Sequence, residues 1–212
     1  MKKKSNNDLS FKIITIGDTG VGKTSIIRRY LFNTFEYGNF TTIGVNFSFK
    51  DVTLKNGKVA KIKLIDTAGQ EKYKSLSKSY YKNAEGVLFV FAKDNEESFK
   101  NISEWIKLFD ENNSGKEGIP KYLIGNKDDL EGEITVKEDS IESFLKENNG
   151  YEYRSVSALK DDNRIDDLFQ DMAEKLYHNF KEGKQNSIQL EENKNKYKKR
   201  RCQFCNFSGD DV

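Results

Sequence analysis

Residues 17–24 read G-D-T-G-V-G-K-T, between the apolar run Phe11–Ile16 and the helix-like stretch S-I-I-R-R-Y-L-F. Three glycines where a strand must hand over to a helix carry an entropic cost, so the bare backbone there must serve a purpose. Gly17, Gly22, Lys23 and Thr24 fit G-x-x-x-x-G-K-[ST] in the strand-to-helix setting that phosphate binding needs. Loop amides of Asp18, Thr19, Gly20, Val21 and Gly22, with the positive helix end at Lys23, Thr24 and Ser25, can surround phosphate oxygens. Lys23 can reach the β and γ groups, and the Thr24 hydroxyl can bind Mg²⁺.

Three further loops carry complementary chemistry. Asp66-Thr67-Ala68-Gly69-Gln70-Glu71 closes the strand-like run from Val59. There Asp66 can hold the Mg²⁺ shell, Gly69 can present its N–H to a γ-phosphate, and the Gln70 amide can orient an attacking water. Asn126-Lys127-Asp128-Asp129 follows an apolar strand. A carboxylate there can accept from N1–H and the 2-amino group of guanine, and adenine lacks that donor pair. Ser157-Ala158-Leu159 follows the last strand and can offer backbone N–H groups to a guanine carbonyl. In isolation D-x-x-G and N-K-D-D read as polar turns. In register with the glycine loop they read as one nucleotide site. The single histidine, His178, stands in the final helix, which excludes proton transfer by histidine.

Elements must place these loops at one edge of a sheet. Strand-like and helix-like runs alternate, which predicts an α/β three-layer sheet with right-handed crossovers. Strands are expected at Phe11–Gly17, on both sides of Asn56-Gly57 as a two-residue hairpin, and at Val87–Ala92, Lys121–Gly125 and Tyr153–Val156, the last three buried on both faces. Phe99, Ile102, Ile106 and Phe109 share one helical stripe, and Ile165, Leu168, Phe169, Met172, Leu176 and Phe180 another. Thr135-x-x-Glu138 looks like a capping box. The reading divides the chain into a flexible N-terminus (1–8), one globular domain (9–181) and a flexible basic tail (182–212).

The chain of 212 residues has a net charge of +2. The tail carries seven basic and five acidic side chains, so the body is neutral, and a nucleic-acid footprint over the domain is not expected. No apolar run approaches the roughly 18–20 residues of a membrane span. M-K-K-K-S-N-N-D leads into no secretory apolar region, and both cysteines, Cys202 and Cys205, lie in the tail, so an intracellular, reducing setting is expected.

Four nucleotide motifs in order resemble the small GTPases of the Ras superfamily over about residues 9–181. Within it, Ile43-Gly44-Val45-Asn46-Phe47, Gln70-Glu71-Lys72-Tyr73, Ser79-Tyr80-Tyr81 and Asn95-Glu96-Glu97-Ser98-Phe99 are most similar to the Rab branch. The resemblance implies the P-loop GTPase fold, a six-stranded, mostly parallel sheet with one antiparallel edge strand and helices on both faces. It further implies that Thr42 binds Mg²⁺ and senses the γ-phosphate, that Phe35 packs on guanine, and that residues 35–47 and about 67–81 are switches I and II. A monomer is implied that binds GTP or GDP with Mg²⁺, hydrolyses GTP slowly, and works with an exchange factor, a GTPase-activating protein and effectors in vesicle trafficking on the cytosolic face of an endomembrane. Asn46, Ile65 and Ala92 depart from the aspartate, tryptophan and aspartate usual in Rabs. The first two touch the expected effector surface rather than the nucleotide pocket.

Two other readings stand beside this one. One is a P-loop nucleotide kinase, which would want an arginine-rich lid and has no use for N-K-D-D; the other is a nucleotide-locked or soluble adaptor, a binding module without membrane cycling, of which the locked form would not need Lys23, Thr24, Thr42 and Gln70 together. In the tail, K-N-K-Y-K-K-R-R can meet an anionic leaflet. Lipid on Cys202 or Cys205 would add the second anchoring signal, although no C-a-a-X box ends the sequence. A zinc site at Cys202-x-x-Cys205 lacks two ligands.

Overall fold

The computed structural model describes residues 9–38, 42, 44–67, 80–113 and 118–183. Strands β1 (Ser10–Ile16), β2 (Val45–Thr53), β3 (Val59–Thr67), β4 (Gly86–Ala92), β5 (Lys121–Asn126) and β6 (Tyr151–Ser155) alternate with helices α1 (Lys23–Phe32), α2 (Glu96–Lys100), α3 (Ile102–Asn112) and α4 (Glu138–Glu147). A last helix, α5, begins at residue 164. The unit holding the sheet runs to Leu176, and Tyr177–Val212 is a separate unit whose described residues, 177–183, are helical. Among the described residues no helix is long and apolar enough to cross a membrane.

The six strands follow the order β2-β3-β1-β4-β5-β6. Only the β2–β3 pairing is antiparallel, so β2 is the antiparallel edge strand expected from the resemblance. The order reverses beside β1, and at such a point the loops after neighbouring strands part to leave a crevice. The register Thr15↔Asp66, Ile16↔Phe89 and Ala92↔Asn126 brings the ends of β1, β3, β4 and β5 to that edge.

Both faces of the sheet are covered, which explains why β4, G-V-L-F-V-F-A, is buried at every position. Alternation along β1 sends Ile14 and Ile16 into one layer with Phe89, Phe91, Trp105, Phe109 and Ile141, beneath α2, α3 and α4. On the opposite face the rings of Tyr30 and Phe169 stack at 4.0 Å between α1 and α5. Ile165, Leu168, Phe169, Met172 and Leu176 are all buried, as their spacing predicts.

Four local expectations are corrected. Asn56-Gly57 is not a two-residue turn. Leu54 N–H donates to Lys58 O and Gly57 N–H to Leu54 O, which makes a three-residue loop with Gly57 at φ 78°, where glycine suits the bulge. The stripe Phe99–Phe109 is split at Asn101 into α2 and α3, and the side chain of Asn95 caps α2 by accepting from Ser98 N–H. Thr135 caps nothing, because α4 starts after Lys137 and Glu138 meets Lys93 instead. Strand β6 is only partly buried, being the sheet's other edge, whereas a central strand was expected. On β2, Phe47 and Phe49 face outward at 41% and 59% exposure, and Phe47 is partly sheltered by Tyr80, 5.5 Å between rings.

Candidate functional site

The glycine loop packs against β4 and β5. A Cβ on Gly17 would lie 2.0 Å from Val90 O, and one on Gly22 would lie 2.2 Å from Asn126 Nδ2. Gly22, at φ 94°, also caps α1 with no side-chain bond to the helix, and the first turn holds no acidic residue. The N-terminal amides and the positive helix end are thus left for an anion. Lys23, nearly fully buried, folds back across the loop and donates to Gly17 O at 2.9 Å and Asp18 O at 2.7 Å. Burial pulls its ammonium down to about 8, against the opposing charges of Asp66 and Asp18.

Three hydroxyl and carboxylate groups from distant segments converge beside Lys23. Thr24 Oγ1 lies 2.6 Å from Thr42 Oγ1, and it donates to Asp66 Oδ2 at 2.7 Å. Asp66 Oδ1 is buried with no hydrogen-bond partner among the described residues. Burial raises the carboxyl's affinity for a proton, while the Thr24 hydrogen bond and Lys23 oppose the shift. A buried carboxylate oxygen without a donor, on a carboxylate whose other oxygen meets the Thr24 hydroxyl, fits a hard cation that takes one carboxylate and completes its shell with phosphate and water. No cluster of three or more His, Cys, Asp or Glu occurs among the described residues, so this donor set is hydroxyl-rich and would leave much of the shell to a ligand.

The base loops are fastened from behind. Asn126 donates from Nδ2 to Val21 O at 2.8 Å and accepts at Oδ1 from Ala158 N–H at 3.1 Å, stapling the glycine loop to the 157–159 loop. Lys127 has φ 65°, and its ammonium meets Asp94 at 3.0 Å. Asp129 Oδ1 accepts from Ser157 Oγ at 2.5 Å, and Ser157 Oγ accepts in turn from Leu159 N–H. The amides of Ala158 and Leu159, expected to face a carbonyl of the base, are thus engaged within the protein in this state.

Other expected residues fall differently. Asp18 contributes its backbone carbonyl to Lys23, but its carboxylate turns away and accepts from Asn101 Nδ2 at 2.8 Å and Trp105 Nε1 at 2.6 Å. Phe35 is half-buried and meets Tyr37 edge-on. Gly69, Gln70, Cys202 and Cys205 lie outside the described residues. Sequence reasoning missed Arg29, which is 9% exposed. It reaches from α1 to Ala158 O at 3.0 Å and Leu159 O at 2.8 Å, holding the 157–159 loop by its carbonyls. The signal was present, since Arg29 lies in the same helical stripe as Ile26, three residues earlier, where a cation needs buried acceptors.

Comparison with known proteins agrees with this geometry. The family model for the Ras family matches residues 12–178. Ras-related protein Rab-11B of Dictyostelium discoideum is 38% identical over 188 residues, covering 89% of this chain and 83% of that protein. Human Ras-related protein Rab-30 is 37% identical over 181 residues, 85% of each chain. Ras-related protein Rab-10 of Caenorhabditis elegans is 37% identical over 169 residues, 80% of this chain and 82% of that one. The chain belongs to the Ras family, and is a small GTPase similar to the Rab proteins.

Proposed function

We propose that this small GTPase is a timed switch that binds GTP or GDP with Mg²⁺ and recruits effectors through residues 35–47 and 67–81 in vesicle trafficking. The observation that supports it most is the meeting of Thr24, Thr42 and Asp66, whose Oδ1 has no partner among the described residues, beside buried Lys23. When bound, Mg²⁺ neutralises charge on the β- and γ-phosphates. Lys23 and the loop amides hold the phosphate oxygens, Thr24, Thr42 and Asp66 would hold the ion, and Gly69 senses the γ-phosphate. Gln70 holds the attacking water, and Asp129 reads the base. The arginines are Arg28, Arg29, Arg154, Arg164, Arg200 and Arg201, none in either switch. An activating protein must therefore supply one in trans, raising a slow turnover by about 10³- to 10⁵-fold. The basic run before Cys202, with lipid on Cys202 or Cys205, would hold the switch to an endomembrane.

Titration with a fluorescent GDP analogue tests the reading. Binding should be displaced by GTP and not by ATP, and chelating Mg²⁺ should speed release by about tenfold or more. Equal displacement by ATP would overturn it. Gln70→Leu should slow single-turnover hydrolysis of bound GTP by about tenfold or more, since water positioning carries the step, while leaving GDP affinity within about twofold. An unchanged rate would remove the role given to Gln70.

A further inference from the structure

Asp128, the residue between Lys127 and Asp129, has no place in reading the base, yet both oxygens of its carboxylate are fully used. Oδ1 accepts from Lys93 Nζ at 2.9 Å and from Ser155 Oγ at 2.8 Å. Oδ2 accepts from Arg164 Nη1 at 2.7 Å. Arg164 Nη1 also donates to Ser155 O at 3.2 Å, and its Nε donates to Asp162 Oδ2 at 2.7 Å. Asp128 N–H donates to Val156 O. One side chain thus joins the residue just past β4, the end of β6 and the first turn of α5 to the 126–129 loop.

The two cations are not equivalent. The Lys93 side chain is 6% exposed, with Asp128 on one side and the 62% exposed Glu138 on the other. Arg164 is 34% exposed. A buried ammonium depends on its partner, whereas a half-exposed guanidinium is screened by salt. Burial pushes the Asp128 carboxyl up, but the hydrogen bonds from Arg164, Lys93 and Ser155 outweigh it and hold the group well below the usual carboxylate range.

Location gives the cluster its consequence. Asp128 is directly followed by Asp129, whose Oδ1 is fixed by Ser157 Oγ, and Ser155 stands two residues before Ser157. The Asp128 contacts to Ser155 and Val156 therefore reinforce the direct Asn126–Ala158 and Asp129–Ser157 bonds that hold the 126–129 loop against the 157–159 loop. Lys93 N–H also donates to Asn126 O at 2.9 Å, so the lysine backbone braces the same loop its side chain holds.

We propose that Asp128, with Lys93 and Arg164, is a positioning residue for guanine: it fixes the 126–129 loop against the 157–159 loop, so that bound GDP leaves slowly and is distinguished from nucleotides lacking the 2-amino group. The inference rests on the nucleotide reading above. It adds a residue that never touches the base but sets where Asp129 stands.

The test compares full-length wild type with Asp128→Asn, Arg164→Gln and Arg164→Lys. Asp128→Asn keeps the shape and the Ser155 bond but removes the charge. It should speed release of a fluorescent GDP analogue by about tenfold or more, and lower the preference for GDP over inosine diphosphate at least about threefold. Hydrolysis of GTP already bound should change far less than release. Arg164→Gln removes only the half-exposed arm and serves if Asp128→Asn folds poorly; it should speed release about three- to tenfold, with Arg164→Lys recovering part of the loss. Release and base preference within twofold of wild type in folded Asp128→Asn and Arg164→Gln would overturn the proposal, as would a lowered melting temperature with no change in preference, which marks a purely structural cluster. If wild type does not prefer GDP over ADP, the nucleotide reading fails first, and that outcome is distinct because no variant is needed to see it.

Discussion

Asp129→Asn should exchange base preference, weakening GDP by about 10²- to 10⁴-fold while admitting xanthosine diphosphate. An aspartate only accepts, which suits guanine's N1–H and 2-amino donors; an asparagine donates one bond and accepts another, which suits xanthine's N1–H and 2-oxo group. Each hydrogen bond to a charged group is worth about 1.5–3 kcal/mol, so mispairing two of them spans that affinity range. The position is prepared for this duty, since Ser157 Oγ fixes Oδ1 at 2.5 Å and so limits how far the side chain can swing to rescue the wrong base. Affinities of fluorescent GDP and xanthosine diphosphate analogues measure the exchange. GDP affinity within tenfold of wild type, with no gain for xanthosine diphosphate, would remove Asp129 from base reading.

What the sequence shows of this protein is what local chemistry dictates. The glycine loop is legible because Gly17, Gly22, Lys23 and Thr24 must be near one another along the chain to surround a phosphate, and their setting after β1 and before α1 follows from adjacent apolar periodicity. Strands β4 and β5 announce themselves as unbroken apolar runs, being covered on both faces. The contacts that fasten the site are another matter. Asn126 to Val21 spans 105 positions and Arg29 to Ala158 spans 129, and nothing in either neighbourhood fixes the partner before the sheet order is known. Asp128 was hidden differently, because N-K-D-D drew attention to the second aspartate while the first had its partners on three other elements. Periodicity also failed at Asn101, where an apolar stripe continued through a break between α2 and α3, since spacing records which face is buried and not whether the backbone turns.

Gly22→Ala should cost this site far more than Gly20→Ala, although both glycines have a positive φ. Gly22 adopts φ 94°, a region that costs an L-residue about 1–2 kcal/mol. Gly20, at φ 80°, carries a similar backbone penalty but has nothing within 4 Å of its Cβ position. The added Cβ at Gly22 would instead stand 2.2 Å from Asn126 Nδ2, so that side chain must leave its place. Asn126 is 2% exposed and holds both Val21 O and Ala158 N–H, so its displacement strands two backbone groups in the interior, at about 1–3 kcal/mol each. At about 2–4 °C per kcal/mol for a chain of this size, melting of nucleotide-free Gly22→Ala should fall by about 10 °C or more, and that of Gly20→Ala by only about 2–8 °C. GDP affinity of Gly22→Ala should fall about a hundredfold or more, because the phosphate loop and the base loop lose their common staple. Asn126→Ala removes the obstacle together with the staple, so the double variant should be worse than Asn126→Ala alone only by the backbone penalty, a loss about that of Gly20→Ala, and this non-additivity is what direct contact demands. Additive losses would mean that the glycine and the asparagine act separately, and that the staple between the two loops does not govern binding.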